Sequence, residues 1–523
     1  MTDDTRQTRR EHLHSIGAGA SSLTLAALAP TTKAGVLGWE APDNAVSHSD
    51  DRYGWIIPVE GNDPDERAEN LDALEDELSS YDNTTILSDR RHDGAGSLTA
   101  VAPVDAIGAR NRDRWLVDRG IATLEYIDET GIEINRTVSL AEPLRPAGEA
   151  AWEDFGVLES TLLSAFADGV PQPDGIAFDD DMVETSMVAA REATAATDAD
   201  TTLPDTSGVT VAVGDTGVTN AGYLDDADGN TRLRSDSKNF VDEGDPEGVD
   251  ATTDGNGHGD WIAACYAART PEDTALEGFL PDADVLGIKV LTDGGSGSLD
   301  DIAAGIRYTA DVADAGTVLN LSLGSPQFSQ AIENALEYAV SEGIIPVAAA
   351  GNDRQATRWV AYPASSEYTI SVGSTTVTIP DEALSAYYSN TAPHNGVTDG
   401  SGGATTGAEI DVGAPGCKLE SASGDTLTGT SMAGPVAGCV TLLDVAAGNT
   451  DDLETARDRL TTYAEPIQAA ATEEVGAGMP SAANLLSETE PENDQDDVAT
   501  DEATTRGAAY RTMSGSWLFR QVD

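Results

Sequence analysis

Short apolar runs alternate with longer helical stretches between residues 206 and 486. The runs share a high content of Val, Ile, Leu and Ala, and we interpret four of them as buried strands: Val209–Val213, Asp284–Ile288, Thr317–Leu321 and Gly343–Ala350. Strands that are apolar throughout and separated by helices are typical of a mostly parallel sheet covered on both faces. The pattern therefore predicts an α/β domain over residues 206–486.

The charge of the chain restricts its partners and its solvent. Among 523 residues, 92 are acidic and 29 are basic, which gives a formal net charge of −63. This charge repels nucleic acids and anionic membranes, so we expect neither as a partner. Few of the basic residues are lysines: Lys33, Lys238, Lys289 and Lys418. A hydrophobic content of 39% argues against a disordered acidic chain, and we expect a folded protein adapted to concentrated salt, which screens the carboxylates.

The cysteine content and the hydropathy argue against disulfide-rich, zinc-binding and membrane-spanning proteins. The cysteines Cys265, Cys417 and Cys439 are odd in number and form no CxxC pair, which argues against a disulfide framework and a zinc site. No run of about 20 apolar residues is present, so no membrane span is expected.

The N-terminus has the pattern of an export signal. Arg9 and Arg10 precede a mildly apolar run from 16 to 29, which ends in the small residues Ala27-Leu28-Ala29. This arrangement predicts a twin-arginine export signal over residues 1–29 and an extracellular protein. The alternative is an ordinary basic N-terminus.

Three further segments surround the α/β domain. Residues 50–138 are expected to form a small α+β unit, with strands at 55–59, 97–102 and 122–128 and a helix at 65–81. Residues 139–205 are expected to be a linker and lead-in, and residues 487–523 an acidic linker with a short tail that holds Trp517 and Phe519.

Four polar residues stand where apolar elements begin or end. Asp215 follows the first buried strand, and Asn352 follows the strand at 343–350. His258 lies in a glycine-rich loop before the helix expected at 261–267, and Ser431 at the turn into one expected at 436–443. Each alone has a plain structural interpretation, as a turn residue, a structural histidine or a helix cap.

Together these sites resemble the subtilisin family of serine proteases, the subtilases, in which the triad follows the chain order Asp, His, Ser. Further landmarks of the family stand in order between and after them: Lys289–Leu291, Gly295–Gly297, Asn320–Gly324, Tyr362–Ala364, Ala414–Gly416 and Gly476–Gly478. The resemblance implies a subtilisin-like three-layer α/β fold with a mostly parallel sheet, preceded by a small α+β propeptide-like unit. It also implies a secreted, monomeric serine endopeptidase that cleaves proteins or peptides.

The resemblance assigns roles residue by residue. Asp215, His258 and Ser431 would form the catalytic triad, and Asn352 would hold the oxyanion. Residues of two segments would pair with an extended substrate: Gly295, Ser296, Gly297, Ser322, Leu323 and Gly324. Ala350 and Gly351 would line the pocket for the residue before the scissile bond. Calcium is expected from the family, with no ligands assigned; acidic loops such as residues 225–229 are candidates.

Some matters stay open at this stage. The unit at 50–138 would be the chain's own propeptide, or alternatively a stable accessory domain. Asp260 and Trp261 replace the family's Thr-His pair. Asp260 would simply be favoured by the helix dipole in the first turn, or alternatively its charge would raise the pKa of His258. The family usually reads Pro-His-Val-Ala-Gly after the nucleophile, whereas this chain reads Pro435-Val436-Ala437-Gly438. Either one residue is missing here, or the helix continues without a gap and Cys439 stands in place of the family's glycine. Cys265 and Cys439 would form a disulfide or remain free thiols.

Two other functions compete with hydrolysis. A catalytically silent, subtilase-like binding protein of the cell envelope would have lost a triad or oxyanion residue, and none is lost. A peptide ligase on the same scaffold would require an acyl-enzyme that prefers an amine to water.

Overall fold

The computed structural model describes residues 44–49, 52–61, 63–81, 83–103, 124, 127, 132–140, 176–177, 181–197, 201–242, 244–325, 327–354, 360–392, 409–492 and 495, and the backbone of 508–511 and 517–520. The export signal expected over residues 1–29 lies outside the described residues.

The first unit is an antiparallel sheet with one helix packed on it. Its elements are β1 (Ser47–Ser49), β2 (Arg52–Pro58), α1 (Pro64–Leu78), β3 (Thr85–His92), β4 (Ser97–Pro103) and β5 (Glu133–Ile134). The strand order is β1-β2-β4-β3, and β5 pairs with β2. Leu71, Leu74 and Leu78 of α1 are fully buried against this sheet, as their spacing predicts. The strand expected at 122–128 is described only at residues 124 and 127, and Ile127 forms an isolated bridge with Val59.

The larger unit contains a nine-stranded sheet. Its early elements are β6 (Thr137–Ser139), β7 (Ile176–Ala177), β8 (Thr185–Ser186), α2 (Met187–Ala193), β9 (Thr210–Asp215), β10 (Lys238–Asn239), α3 (His258–Ala267), β11 (Asp284–Lys289), β12 (Ser296–Ser298) and α4 (Leu299–Val312). The middle elements are β13 (Val318–Leu321), α5 (Gln330–Ser341), β14 (Ile345–Ala349), β15 (Ile370–Thr375), β16 (Ser385–Ala386), β17 (Val412–Pro415), β18 (Leu419–Glu420) and β19 (Thr426–Leu427). The last elements are α6 (Thr430–Ala446), α7 (Leu453–Thr462), α8 (Thr472–Val475) and α9 (Ala482–Ser487). After them, β20 (Ala508–Arg511) and β21 (Trp517–Arg520) form a separate two-stranded antiparallel sheet.

Strand pairing confirms the α/β prediction. The order is β10-β11-β9-β13-β14-β15-β16-β7, with β17 also beside β15, and every pairing is parallel except β15 with β16. The four buried strands inferred from the sequence are β9, β11, β13 and β14, and no end differs from the expected one by more than two residues.

Helices cover both faces of this sheet and create two hydrophobic cores. On one face α3 and α6 pack against the strands, with Trp261 and Val436 fully buried. On the other face α4 and α5 contribute Ile302 and Leu336. This arrangement is the three-layer fold that the sequence predicts. Among the described residues, no helix is both long and apolar enough to cross a lipid bilayer.

The segment after Pro435 is one unbroken helix. Pro435 lies inside α6, and Cys439 is completely buried beside Cys265 on α3. Both cysteines, like Cys417, are free thiols, which answers the question left open by the sequence. The neighbouring Gly438 is required because a Cβ there would collide with the Tyr266 hydroxyl.

Candidate active site

The helices α3 and α6 place their first residues at the same edge of the sheet. They touch at Cys265 with Cys439 and at Tyr266 with Gly438. His258 and Ser431 lie seven or eight residues before these contacts, about two helical turns in each case. Both helices follow loops at the carboxyl edge of the parallel strands, so they run side by side. His258 and Ser431 therefore begin neighbouring helices at the edge where Asp215 ends β9.

Asp215 and His258 form a direct, buried pair. The Asp215 Oδ1 and His258 Nδ1 atoms lie 2.8 Å apart. Because a carboxylate can only accept, Nδ1 carries the proton and Nε2 is left as the basic nitrogen. The same Oδ1 accepts from the Thr216 backbone N–H, and Thr216 Oγ1 accepts from the Gly259 N–H. These bonds tie the end of β9 to the first turn of α3.

The pKa of His258 is set by burial and by two carboxylates. Burial lowers the pKa, but the charge and hydrogen bond of Asp215 raise it, and the charge of Asp254 raises it further. The net pKa lies above its ordinary value. Asp260, for which the sequence predicted this influence, instead accepts from the Thr219 N–H at 2.6 Å. Burial raises its own pKa to about 6. The second carboxylate that acts on His258 is therefore Asp254, and the expectation for Asp260 is wrong.

Ser431 is held by two hydrogen bonds to Ser322. Proline has no N–H, so Pro435 cannot donate to the Ser431 carbonyl four residues earlier. Ser322 Oγ donates to that carbonyl at 2.9 Å, and the Ser431 hydroxyl donates to the Ser322 carbonyl at 3.3 Å. Among the described residues, Ser431 Oγ has no hydrogen bond to His258. A serine hydroxyl rotates freely, and catalytic hydrogen bonds are often long until substrate binds.

Asn352 is fixed in one orientation next to Ser431. Its Oδ1 accepts from both the backbone N–H and the hydroxyl of Thr430, each at 2.8 Å. Thr430 Oγ1 also accepts from the Gly351 N–H at 3.1 Å. The sequence motif did not identify Thr430, because a threonine beside a serine carries no signal of its own. Thr216 likewise was not identified from the sequence, although it connects Asp215 to the first turn of α3.

A cavity of about 120 Å³ opens beside Ser431 and Asn352. Of the residues expected to bind substrate, Ser322, Leu323, Gly324 and Gly351 line it. Ala350 is fully buried and is not among the lining residues, whereas Ala349 is. Ala350 therefore does not line this cavity, contrary to the prediction that it lines the pocket for the residue before the scissile bond.

Gly295, Ser296 and Gly297 lie apart from this cavity and pair with the chain itself. β6 runs antiparallel to β12, with Val138 opposite Gly297. The Leu140 N–H continues the ladder by donating to the Gly295 carbonyl at 2.7 Å. Residues 137–140 thus form an added strand on this segment, which is the binding mode expected for an extended substrate.

The described residues contain no group of three or more His, Cys, Asp or Glu side chains that could hold a metal ion. In the loop at 225–229, Asp226 Oδ1 accepts from the backbone N–H groups of Asp228 and Asn230. Its carboxylate is therefore used by its own loop, and we assign no calcium ligands.

Comparison with known proteins finds relatives in one protein family. The model of the Subtilase family matches residues 206–495, more than half of the chain. Subtilisin Savinase of Lederbergia lenta is 36% identical over 242 residues, which are 45% of this chain and 76% of that protein. An alkaline protease of Alkalihalobacillus alcalophilus is also 36% identical over 242 residues, 45% of this chain and 54% of its own. The chain thus spans about half the length of this relative. The solved structure of Sphericase is 29% identical, with a TM-score of 0.47, over 56% of this chain and 95% of its own.

Proposed function

The chain belongs to the subtilase family, and from this premise we propose that it is a secreted serine endopeptidase that hydrolyses peptide bonds through Asp215, His258 and Ser431. The observation that carries the proposal is the 2.8 Å contact between Asp215 and His258 at the helix end beside Ser431. A buried carboxylate that orients a histidine, next to a serine at a helix start, is the arrangement that activates a nucleophile.

In the proposed reaction, Ser431 Oγ attacks the carbonyl carbon of the scissile bond while His258 Nε2 takes its proton. The carbonyl oxygen becomes an oxyanion that accepts from Asn352 Nδ2 and from the Ser431 backbone N–H. His258 then gives the proton to the leaving amine, and the C–N bond breaks. Water repeats the sequence on the acyl-enzyme, with His258 again as the base, and releases the second product.

We assign residues 50–138 to a propeptide that covers the substrate cleft. Its support is the strand at 137–139 on β12 and a set of buried polar contacts. Arg90 lies 2.7 Å from both Asp245 and Asp301, and Glu133 accepts from the Ser329 hydroxyl and the Ala331 N–H at 2.8 Å. An added strand in this position competes with a peptide substrate for the same backbone groups.

Export and salt adaptation complete the proposal. The paired arginines, the apolar run and the Ala-x-Ala site support the twin-arginine route for residues 1–29. The net charge of −63 supports folding in concentrated salt. We also propose protein or peptide substrates and a monomeric enzyme.

The test is covalent labelling of the full-length protein, folded in multimolar salt, with a fluorescent fluorophosphonate that reacts only with activated serines. We expect one label per chain, and peptide mapping should locate it on Ser431. The heat-denatured protein serves as the control and should remain unlabelled. Absence of labelling, even after proteolytic removal of residues 50–138, would contradict the proposal.

The pH profile tests the electrostatics of the site. Hydrolysis requires neutral His258, so activity falls as the pH drops through its pKa, which Asp254 raises. Asp254→Asn removes this charge and keeps an acceptor for the Asp260 N–H. We expect the acid limb of kcat/KM to move to lower pH in Asp254→Asn and to stay in place in Asp260→Thr. A shift in the second variant alone would reverse our assignment.

A further inference from the structure

One buried arginine of the first unit binds groups of the larger unit. Arg90 lies on β3, and its side chain is 8% exposed. Its Nη1 donates to Asp245 Oδ2 and its Nη2 to Asp301 Oδ1, each at 2.7 Å. Nε also donates to Asp301 Oδ1, at 3.2 Å, and Nη2 donates to the Phe240 carbonyl at 2.8 Å. The guanidinium carbon lies 5.9 Å from the centroid of the Phe240 ring. All three guanidinium nitrogens therefore bind the other unit.

The larger unit positions these acceptors through its own hydrogen bonds. Asp301 lies in the first turn of α4, and its Oδ2 accepts from the Ser298 hydroxyl at 2.6 Å. This bond leaves Oδ1 for the arginine. The loop that carries Asp245 is closed by a bond from the Asp245 N–H to the Asp242 carbonyl at 3.2 Å. The binding groups are thus part of the larger unit, and the first unit supplies only the cation.

The arrangement fits a guanidinium better than an ammonium. A guanidinium has five N–H donors in a planar fork and stacks on aromatic rings, whereas the lysine ammonium is a compact point charge. Here two carboxylates and one carbonyl accept from three different nitrogens. Burial and the charge of Asp300 raise the pKa of Asp301 to about 6, against the lowering by Arg90. A carboxylate so buried is costly to leave without a cation.

Two other cations near this place have different partners. Lys238 Nζ lies 4.8 Å from the centroid of the Tyr308 ring. Arg307 is buried and donates to the Ser97 hydroxyl at 3.3 Å. In the part of the chain that the structure describes, neither cation forms an ion pair with Asp245 or Asp301. Arg90 is therefore the cation that neutralises these two carboxylates.

Burial protects this contact from concentrated salt. Salt at 1 M screens charges beyond about 3 Å, but it screens buried pairs much less than exposed ones. Arg90 and Asp245 are both less than a tenth exposed. The next residue, Arg91, pairs with three acidic residues of its own unit, and two of these are exposed: Asp72 and Asp93. We therefore expect the Arg90 contact to persist in salt that weakens the pairs of Arg91.

We propose that Phe240, Asp245 and Asp301 form a guanidinium-binding site whose ligand is the arginine presented by residues 50–138. None of the three lines the cavity beside Ser431. Through this site the first unit stays docked on the larger unit in concentrated salt. The inference goes beyond the proposed function, because the site takes no part in bond cleavage. It applies whether residues 50–138 are a propeptide or a permanent domain.

The experiment is a chemical rescue in the full-length Ser431→Ala chain, which lacks the proposed nucleophile and so cannot shorten itself. Arg90→Ala removes the side chain beyond Cβ, and ethylguanidinium is the missing part. In multimolar salt we expect Arg90→Ala to lower the midpoint of thermal unfolding by about 5 °C or more. Millimolar ethylguanidinium should restore about half of this loss or more. Propylammonium, the corresponding part of a lysine side chain, should restore much less.

Arg91→Ala is the matched control, because it deletes the same side chain one residue later. Its effect on the midpoint should shrink as the salt concentration rises, and ethylguanidinium should not restore it. The double variant Arg90→Ala/Asp245→Asn should lose the rescue, since one of the two carboxylates that bind the probe is neutral.

The inference would be overturned if Arg90→Ala kept the original midpoint, or if propylammonium restored it as well as ethylguanidinium. Equal rescue of Arg91→Ala would contradict it too, because the probe would then act on the whole protein. If Arg90→Ala does not fold, Arg90→Lys takes its place, and an unchanged midpoint in that variant would show that any cation suffices. Fluorophosphonate labelling of the wild type is a separate measurement, so failure of this site leaves the proposed function intact.

Discussion

Replacing Ser431 with alanine should lower kcat by about 10⁶-fold, the order of loss that removal of the nucleophile causes in subtilisin. The substitution removes only the attacking oxygen, because the carbonyl of residue 431 can still accept from Ser322 Oγ. Some rate above that in water should persist, since Asn352 and the cleft still bind the substrate and its oxyanion. Steady-state hydrolysis of a peptide p-nitroanilide measures the loss.

Ser371→Ala is the matched control for this variant. Ser371 is also a buried serine, and its Oγ has no hydrogen-bond partner among the described residues. The same atom is thus deleted at a site on β15 where it has no assigned role, and we expect unchanged kcat. If Ser431→Ala retained more than about a tenth of the activity, another residue would have to be the nucleophile.

The same variant distinguishes the two interpretations of residues 50–138. If this unit is a propeptide removed by the enzyme itself, Ser431→Ala should stay at full length while the wild type is shortened. If it is a permanent accessory domain, both proteins should keep it, and intact mass spectrometry separates these outcomes.

The sequence predicted the α/β layers and brought three distant residues into one hypothesis because both depend on local pattern. Apolar runs report buried strands, and the motifs around Asp215, His258 and Ser431 stand where strands end and helices begin. The helix bounds were less accurate. α3 begins at His258 and α6 at Thr430, several residues before the apolar runs from which these helices were predicted. Polar first turns carry no hydrophobic periodicity, so the pattern could not place them.

Other features depend on contacts between residues far apart in the chain. Asp254 and Asp260 are both acidic and both lie within four residues of His258 in sequence, and only the fold directs Asp260 toward Thr219. The Tyr266 hydroxyl on α3 occupies the space that a side chain at Gly438 on α6 would need. The sequence of either helix alone does not reveal this contact. The departure from the family's usual residues after Pro435 therefore affects packing: α6 continues as one helix, and its small residue 438 leaves room for the large Tyr266 side chain.

Asp215→Asn should lower kcat by about 10⁴-fold, the order of loss that removal of this aspartate causes in subtilisin. His258 becomes an imidazolium in the transition state, and burial disfavours that charge. Asp215 is the foremost group that offsets burial, through its charge and its hydrogen bond to Nδ1. Asparagine keeps the size of the side chain but removes the charge, so the imidazolium forms at a much higher cost.

The pH profile separates this mechanism from simple unfolding. Without the Asp215 charge the pKa of His258 should fall, so the acid limb of the remaining activity should move to lower pH, and further than in Asp254→Asn. Asp381→Asn, on an exposed turn, should change neither kcat nor the limb. A variant that remains folded, as judged by its unfolding transition, yet loses less than about 10-fold in kcat would show that Asp215 does not support His258. The largest carboxylate contribution to the site would then have to come from Asp254, the other acid that acts on the imidazole.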